Sequence, residues 1–182
     1  MKKSIKLLLL ACLVVFISCK KTDEATPSSS ETTTEATGQS GVKDDASSPN
    51  IVQTAVGSKD HSTLVTAVKA ASLVDALSNA GPFTVFAPTN AAFAKLPAGT
   101  VDDLLKPENK EKLKTILEYH TYVGSLKTEY MQDGQEFDMV SGGKVKITKK
   151  GDKTYVNGSE IVASIPTSNG IIHVIGDVLL PK

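Results

Sequence analysis

The chain has 182 residues, of which 40% are hydrophobic, and its basic and acidic side chains balance to a formal net charge of zero. This length predicts one globular domain rather than two. Every basic side chain other than histidine is lysine, which excludes the bidentate guanidinium clamps that proteins use for phosphate and carboxylate groups. No basic patch stands out, so nucleic acid is not an expected partner.

Residues 1–18 have the pattern of an export signal. Three early lysines precede an apolar run from Leu7 to Ile17, which is too short to favour spanning a bilayer. The four residues that end at Cys19 resemble a bacterial lipoprotein box, although Phe16 replaces the more usual leucine. The resemblance implies a diacylglycerol on the Cys19 thiol. An exported protein would then be anchored in the cell envelope, with the outer membrane expected and the domain facing the periplasm or the surface. An ordinary signal peptide with an unrelated cysteine is the alternative.

Residues 19–49 are expected to be the lipidated cysteine and a flexible linker, before a domain that spans residues 50–182. Serine, threonine, glycine and proline dominate the linker, and Val42 is its one sizeable aliphatic residue, so it cannot bury enough apolar surface to fold. Cys12 is lost with the signal, and the domain itself contains no cysteine. Disulfides and thiolate metal sites are therefore excluded, and the domain must be stabilised by its apolar core.

The domain is expected to begin with short helices. Asn50 can cap a helix over residues 51–56, and Asp60 or Ser62 can start a second helix with an apolar stripe. Ser72 is placed to cap a third helix. This succession of caps and apolar stripes predicts a helical layer ahead of the first strand.

A strand followed directly by a helix is predicted next. Phe83–Phe86 has the aromatic and β-branched composition of a strand, which Pro88 ends because proline cannot donate to a ladder. Either Thr89 or Asn90 can then accept from the first free N–H groups of a helix, and Phe93 belongs to the apolar stripe of that helix. The segment ties a sheet to a helical layer and contains no catalytic pattern.

The remaining chain changes from helical to strand-like patterns. Thr100 and Asp103 have the spacing of a capping box, and a longer helix is predicted over residues 108–119. From Thr121 onward the apolar period is two, and turn dipeptides such as Asn157-Gly158 recur between short strands. Helices followed by hairpins predict the α+β class with an antiparallel sheet.

Three segments resemble the signature boxes of fasciclin-like (FAS1) domains and occur in the same order. They are Phe83–Phe93, Ile116–His120 with its terminal Tyr-His, and Asn169–Pro181. The last box departs from the family in one place, because Asp177 follows Gly176 where the family more often has the acid one position earlier. The resemblance implies the FAS1 fold, an antiparallel β-sandwich or wedge with several helices packed on one side. Eight box residues are expected to be structural: Phe86, Pro88, Thr89, Asn90, Phe93, Asn169, Gly170 and His173.

The resemblance also marks Tyr119 and His120 as a candidate interaction motif. In animal members of the family, integrin contact has been attributed to this Tyr-His region and to an Asp-Ile pair before the closing box. The aligned pair here is Ser164-Ile165, which lacks the acid. We therefore favour structural packing over direct contact for Tyr119 and His120, because buried polar side chains are usually hydrogen-bonded within a core.

The histidines His61, His120 and His173 are the residues best suited to metal or catalytic chemistry. No pair of them has helical ligand spacing, and the sequence contains neither a Gly-x-Ser-x-Gly elbow nor a phosphate-binding loop. A metal site would need His120 and His173 to converge with a carboxylate, which the ligand spacing does not support. We expect no metal, no cofactor and no catalytic residues, and a carboxylate pair that forms only in space is the alternative left open.

Together these patterns predict a non-catalytic, membrane-tethered binding or adhesion module. Members of the family occur mostly in cell-surface and secreted proteins and are associated with adhesion, matrix contact and, in some cases, carbohydrate. The expected partners are the membrane, through lipid on Cys19, and a surface protein or glycan. The alternative is a periplasmic lipoprotein that holds a small sugar or apolar ligand in a groove between its helices and its sheet.

Overall fold

A computed structural model of the chain describes residues 48–181. The predicted signal peptide, Cys19 and all but the last residues of the predicted linker lie outside the described residues. Within the described part of the chain, no helix combines the length and the apolar content needed to cross a bilayer.

The first helix, α1 (Ile51–Gly57), begins at the predicted cap. The Asn50 side chain accepts from the Gln53 N–H at 2.8 Å, and the Gln53 side chain accepts from the Asn50 N–H at 2.9 Å. This reciprocal capping box satisfies two donors that the first helical turn would otherwise leave free.

Two more short helices follow, α2 (Ser62–Ala70) after a 3-10 turn, and α3 (Val74–Ser78). The prediction that Ser72 caps α3 is wrong, because the N-cap is Leu73 and no side chain caps this helix. Ser72 instead adopts a φ of 58°, in the left-handed region, and ends α2. Its hydroxyl accepts from the Lys110 ammonium at 2.8 Å. The Ser72 side chain therefore binds the start of α6 instead of capping α3.

The predicted strand and the helix that directly follows it form β1 (Phe83–Pro88) and α4 (Asn90–Ala94). The next helix is α5 (Thr100–Leu104). The prediction that Thr100 caps it is wrong, because Gly99 is the N-cap, with a φ of 84°, and Thr100 is the first helical residue. A 3-10 turn then leads into α6 (Lys110–Tyr119), which ends where the sequence predicts.

Six strands complete the domain. They are β2 (Thr121–Val123), β3 (Glu136–Asp138), β4 (Lys144–Lys150), β5 (Lys153–Val156), β6 (Ser159–Thr167) and β7 (Gly170–Ile175). The predicted turn Asn157-Gly158 joins β5 to β6, and tight turns also join β4 to β5 and β6 to β7.

The seven strands form one sheet in the order β2-β1-β7-β6-β5-β4-β3. All neighbouring pairs are antiparallel except β1 and β7, which run parallel with Phe83 opposite Gly170 and Pro88 opposite Ile175. The sheet is therefore mixed, with one parallel pair next to its β2 edge, and not antiparallel throughout. The Val140 N–H donates to the Thr121 carbonyl at 3.0 Å, which connects the chain after β3 to β2 and nearly closes the sheet into a wedge.

Two apolar cores lie on opposite faces of β1 and β7. Val85 and Ala87 pack with α1, α2, α3 and α6 on the helical side, and Phe86 packs inside the wedge with residues such as Ile147 and Val156. Alternate residues of a strand point to opposite faces, so one buried strand serves both cores. The α+β class and the wedge covered by helices are confirmed.

Candidate functional site

Tyr119 and His120 lie at the junction of α6 and β2. Leu113 and Leu117 bury the inner face of α6, and His120 is the C-cap residue. The Phe86 N–H donates to the His120 carbonyl at 2.8 Å. The Tyr-His motif is therefore bonded to β1, the strand between β2 and β7.

Tyr119 is only 3% exposed. Its hydroxyl donates to the Lys144 carbonyl at 2.7 Å and accepts from the Asn157 side-chain amide at 2.9 Å. Its ring lies against Gly143, where an added Cβ would overlap the ring carbons. The tyrosine thus joins the end of α6 to β4 and to the turn between β5 and β6.

His120 is 2% exposed and has partners on both ring nitrogens. Nδ1 lies 2.8 Å from the Ile116 carbonyl, and Nε2 lies 2.9 Å from the Leu179 N–H. A carbonyl only accepts and a backbone N–H only donates, so the ring is neutral with its proton on Nδ1. Burial lowers the His120 pKa from 6.5 to about 4, against the opposing effect of the Ile116 carbonyl.

His173 is fully buried inside the wedge and stacks on Phe86, with 5.5 Å between the ring centroids. Its Nε2 donates to the Leu126 carbonyl at 2.6 Å, and its Nδ1 accepts from the Ser164 hydroxyl at 2.8 Å. Burial lowers the His173 pKa, and the Leu126 carbonyl opposes that effect. Ser164, which stands where the family's acid is expected, therefore satisfies a core histidine.

Thr89 and Asn90, the two candidate caps for α4, have different roles in the structure. Thr89 is the N-cap, and its hydroxyl accepts from the Ala92 N–H at 3.2 Å. Asn90 reaches away from its own helix: its Oδ1 accepts from the Thr63 N–H at 3.0 Å, and its amide donates to the Lys59 carbonyl at 2.9 Å. Asn90 therefore fixes the start of α2 against α4.

Asn169 has the most bonds of the box residues, and it is 8% exposed. Its Oδ1 accepts from the Ile51 N–H at 3.0 Å, and its amide donates to the carbonyls of Leu77 at 2.8 Å and Asn79 at 2.9 Å. Its own carbonyl accepts from the Phe83 N–H at 3.0 Å. One side chain thus joins α1, the end of α3 and the sheet.

Three other box residues shape the surroundings of β1. A Cβ at Gly170 would overlap the Phe83 carbonyl, so the parallel pairing of β1 and β7 needs glycine there. Pro88 is the last paired residue of β1, and Phe93 is partly buried against the helical core. Nothing in these contacts provides a reactive group.

The acid in the closing box makes a surface contact. Asp177 Oδ1 lies 2.6 Å from the Lys95 ammonium, which also donates to the Gly176 carbonyl at 2.8 Å. Both side chains are about half exposed, so this pair contributes little to stability.

His61 is buried, and its Nδ1 lies 2.8 Å from the Ser58 hydroxyl. Its Nε2 has no hydrogen-bond partner among the described residues, and burial lowers its pKa although Asp60 raises it. Within residues 48–181 no three histidine, cysteine or acidic side chains are grouped to hold a metal ion. In His120 and in His173, both ring nitrogens already form hydrogen bonds within the domain.

The space between the helices and the sheet is small. Two apolar cavities that share Leu64, Leu117 and His120 have volumes of about 30 and 20 Å³. Sites for small ligands usually need about 300 Å³ or more. The groove expected for a small ligand between helices and sheet is therefore closed to anything much larger than water.

Two larger surface grooves lie elsewhere, and both include Asn157. One, of about 310 Å³, lies between the β5–β6 turn and residues 177–180, and the other, of about 240 Å³, lies beside Tyr119, Lys144 and Pro181. Sequence reasoning treated Asn157-Gly158 as a turn only. In the structure this turn lies next to residues 177–180. That position depends on contacts between distant parts of the chain, which a local sequence pattern cannot predict.

The chain is similar in sequence to known proteins. The chain is 52% identical over 136 residues to Protein sll1483 of Synechocystis sp., with 74% of this chain and 75% of that protein covered. It is 37% identical over 109 residues to the cell surface glycolipoprotein MPB83 of Mycobacterium bovis, covering 60% of this chain and 48% of that protein.

A FAS1 domain pair from the insect cell adhesion molecule fasciclin I has the same fold, with a TM-score of 0.61 and 18% sequence identity. The match covers 72% of this chain and 51% of that chain. The family model for the fasciclin domain matches residues 59–181, which include the helices α2 to α6 and the whole sheet. The chain therefore belongs to the fasciclin domain family.

Proposed function

We propose that this protein is a membrane-tethered, extracytoplasmic binding module that carries lipid on Cys19 and contacts a surface protein or glycan without catalysing a reaction. The relative MPB83 is described as a cell surface glycolipoprotein, and the fold neighbour comes from a cell adhesion molecule. The lipoprotein-like box at Cys19 supplies the tether in this proposal. A single acyl chain binds membranes marginally, whereas two or more hold firmly.

The observation that carries the proposal is the position at which the chain joins the domain. The Pro49 carbonyl accepts from the Ser168 N–H at 3.1 Å, and Ile51 is bonded to Asn169. A tether on residues before Pro49 would therefore act on the β6–β7 turn, at one end of the central strands. The opposite end of these strands carries the two surface grooves, which are the candidate contact region for a partner.

The buried polar residues of the family boxes support a binding role over catalysis. Tyr119, His120 and His173 use their hydroxyl and ring nitrogens for internal hydrogen bonds, and each is buried. A general base needs a nitrogen within hydrogen-bond reach of its substrate. We therefore propose that these residues hold the domain together while its surface makes the contacts.

The decisive experiment is protease shaving of intact host cells that express the wild-type chain or Cys19→Ala. We expect the wild-type domain to fractionate with membranes and to be removed by external protease, and the variant to be released from the membrane. Cys12→Ala is the matched control, since that cysteine is expected to leave with the signal. A Cys19→Ala protein that stays membrane-bound would contradict the lipid tether, and a protected wild-type domain would contradict a surface partner in favour of a periplasmic one.

Binding itself is tested with the full chain, purified in detergent, on whole host cells and on immobilised envelope glycans. We expect saturable binding to at least one of them. No binding to cells, glycans or envelope proteins would rule out the adhesion role. A native mass spectrum of protein from its own host that contained a bound small molecule would favour the small-ligand alternative instead.

A further inference from the structure

Two histidines of the domain bond a serine hydroxyl at the same distance. His173 Nδ1 lies 2.8 Å from the Ser164 hydroxyl, and His61 Nδ1 lies 2.8 Å from the Ser58 hydroxyl. Either atom of such a pair is able to donate. The group that meets the other ring nitrogen decides which of them does.

In the first pair the ring accepts and the serine donates. His173 Nε2 lies 2.6 Å from the Leu126 carbonyl, and a carbonyl only accepts, so the ring proton is on Nε2. Nδ1 therefore has a lone pair, to which the Ser164 hydroxyl donates. Burial lowers the His173 pKa, which keeps this lone pair free at neutral pH. A hydroxyl, a base and a group that orients the base are the arrangement that activates a serine nucleophile.

The second pair lacks the orienting group. Among residues 48–181 nothing bonds to His61 Nε2, so no acceptor holds a proton on that nitrogen. A buried N–H without an acceptor is unfavourable, so the ring proton belongs on Nδ1, where it donates to the Ser58 hydroxyl. His61 therefore provides no base to Ser58.

Ser164 lies where β6 has a strand on one side only. β5 pairs with Ser159 and Glu160 of β6, whereas Ser164 pairs with His173 of β7 on the other side. Ser164 is exposed, although His173 is fully buried. An external group therefore reaches the serine and not the histidine.

The backbone N–H of Ser164 points to this open side. The Phe83 N–H donates to the Asn169 carbonyl at 3.0 Å, so the odd-numbered residues of β7 direct their backbone groups to β1. His173 is one of them, so it and Ser164 form an opposed pair without mutual backbone bonds, in which side chains lie close. No described residue bonds to the Ser164 N–H. This donor is therefore available to an oxyanion that forms on a group attached to Oγ.

We propose that Ser164 is an activated nucleophile and a covalent modification site, which accepts an acyl group from an activated ester or thioester. Ser164 Oγ bonds to the acyl carbon, its proton passes to His173 Nδ1, and the bond from the acyl carbon to the leaving alcohol or thiol breaks. The leaving group then takes the proton from Nδ1, so the ring returns to its neutral form. During the step the charged ring keeps its bond to the Leu126 carbonyl.

The modification is expected to be stoichiometric. None of the cavities and grooves described above is lined by Ser164, so none of them holds an acyl donor for repeated turnover. The inference goes beyond the proposed binding role and does not depend on it.

The test labels the full chain in detergent with a short alkyl fluorophosphonate, which phosphonylates activated serines with loss of fluoride. Rates at each serine are read by peptide mass spectrometry. Ser125 and Ser168 are the internal controls, because both are exposed and their hydroxyls have no partner among the described residues. We expect Ser164 to react at least about tenfold faster than these two, since a positioned base typically contributes about 100-fold or more. Ser58 should react no faster than they do, and an acetyl thioester should acetylate Ser164 first.

Substitutions separate the nucleophile from its base. Ser164→Ala should remove this label and leave labelling of Ser125 unchanged. His173→Gln keeps a donor for the Leu126 carbonyl and removes the base, so the Ser164 rate should fall to that of Ser125. Unfolding the wild-type chain in urea makes the same comparison if that variant does not fold, and the rates at Ser164 and Ser125 should then become equal.

Three outcomes would overturn the inference. They are equal rates at Ser164 and Ser125 in the folded chain, a Ser58 rate that matches that of Ser164, and an advantage of Ser164 that persists in urea. Each of them leaves membrane attachment and partner binding unaffected, so failure of this inference is distinguishable from failure of the proposed function.

Discussion

At the scale of single residues, His120 makes stability depend on pH. Burial lowers its folded pKa to about 4, below the unfolded value of 6.5, so between these values the unfolded state binds more protons. Stability is therefore fully present above pH 6.5 and is lost as the pH falls through 4. The difference corresponds to about 3 kcal/mol. Urea unfolding at steps between pH 7 and pH 4 should show this decline.

His120→Gln provides the comparison for that series. The variant cannot titrate at this position, so its unfolding free energy should vary less between pH 7 and pH 4, whatever its absolute stability. Some slope remains, because burial also lowers the pKa of His61 and His173, and their contributions have the same sign. An unchanged slope in the variant would show that His120 is not the group that binds the proton.

Replacing the Asn169 side chain should lower the free energy of unfolding strongly, because this small side chain makes several buried hydrogen bonds. Asn169→Ala removes the acceptor of the Ile51 N–H and the donor to the Leu77 and Asn79 carbonyls, leaving buried groups unpaired. We expect a loss of about 3 kcal/mol in urea unfolding and faster amide exchange in α1. Asn169→Asp keeps the acceptor and loses the donor, so it should protect the Ile51 amide better than alanine does.

At the scale of elements, the close approach of β1 and β7 depends on Gly170. Gly170→Ala would place its Cβ on the Phe83 carbonyl, and the backbone of Phe83 is held between the two neighbouring strands β2 and β7. We expect a loss of about 3 kcal/mol, measured by thermal or urea unfolding. Gly57→Ala is the control, because a Cβ there meets no atom within 4 Å. Equal stability of the two variants would refute the steric argument.

The elements also show where sequence reasoning is sufficient. The cap at Asn50 and the end of β1 near Pro88 are predicted correctly, because each depends on neighbours within three residues. For α4 the sequence leaves two caps open, Thr89 and Asn90, and the structure selects Thr89. The caps predicted at Ser72 and Thr100 were wrong. In both places the chain adopts a positive φ, at Ser72 itself and at Gly99, and tertiary contacts decide such conformations.

Contacts between distant segments limited the rest of the prediction. The parallel pairing of Phe83 with Gly170 joins residues far apart in the chain, and hairpin signals suggested antiparallel neighbours throughout. Likewise, Asn157 reads locally as a hairpin turn, yet it bonds Tyr119 and faces the C-terminal segment. A single sequence contains no local pattern that reports contacts between residues distant in the chain. The two surface grooves could therefore not be predicted from it.

At the scale of the whole molecule, the two cores are joined by strands that belong to both. Val85 and Ile172 point into the helical core, and Phe86 and Ile175 point into the wedge core, from the same pair of strands. Neither core can lose its order without disturbing the backbone that supports the other. The domain is therefore expected to unfold as one cooperative unit.

This expectation is tested by weakening each core separately. Leu117→Ala opens the helical core and Ile147→Ala opens the wedge core, and each should lower stability by about 3 kcal/mol. Unfolding is followed by far-ultraviolet circular dichroism, dominated by the helices, and by tyrosine signals, to which Tyr119 in the wedge contributes. Both probes should shift together in both variants, while Val162→Ala, at a 67% exposed position, should shift neither. If Ile147→Ala moved the tyrosine transition alone, the wedge would unfold independently, and the shared strands would not couple the cores.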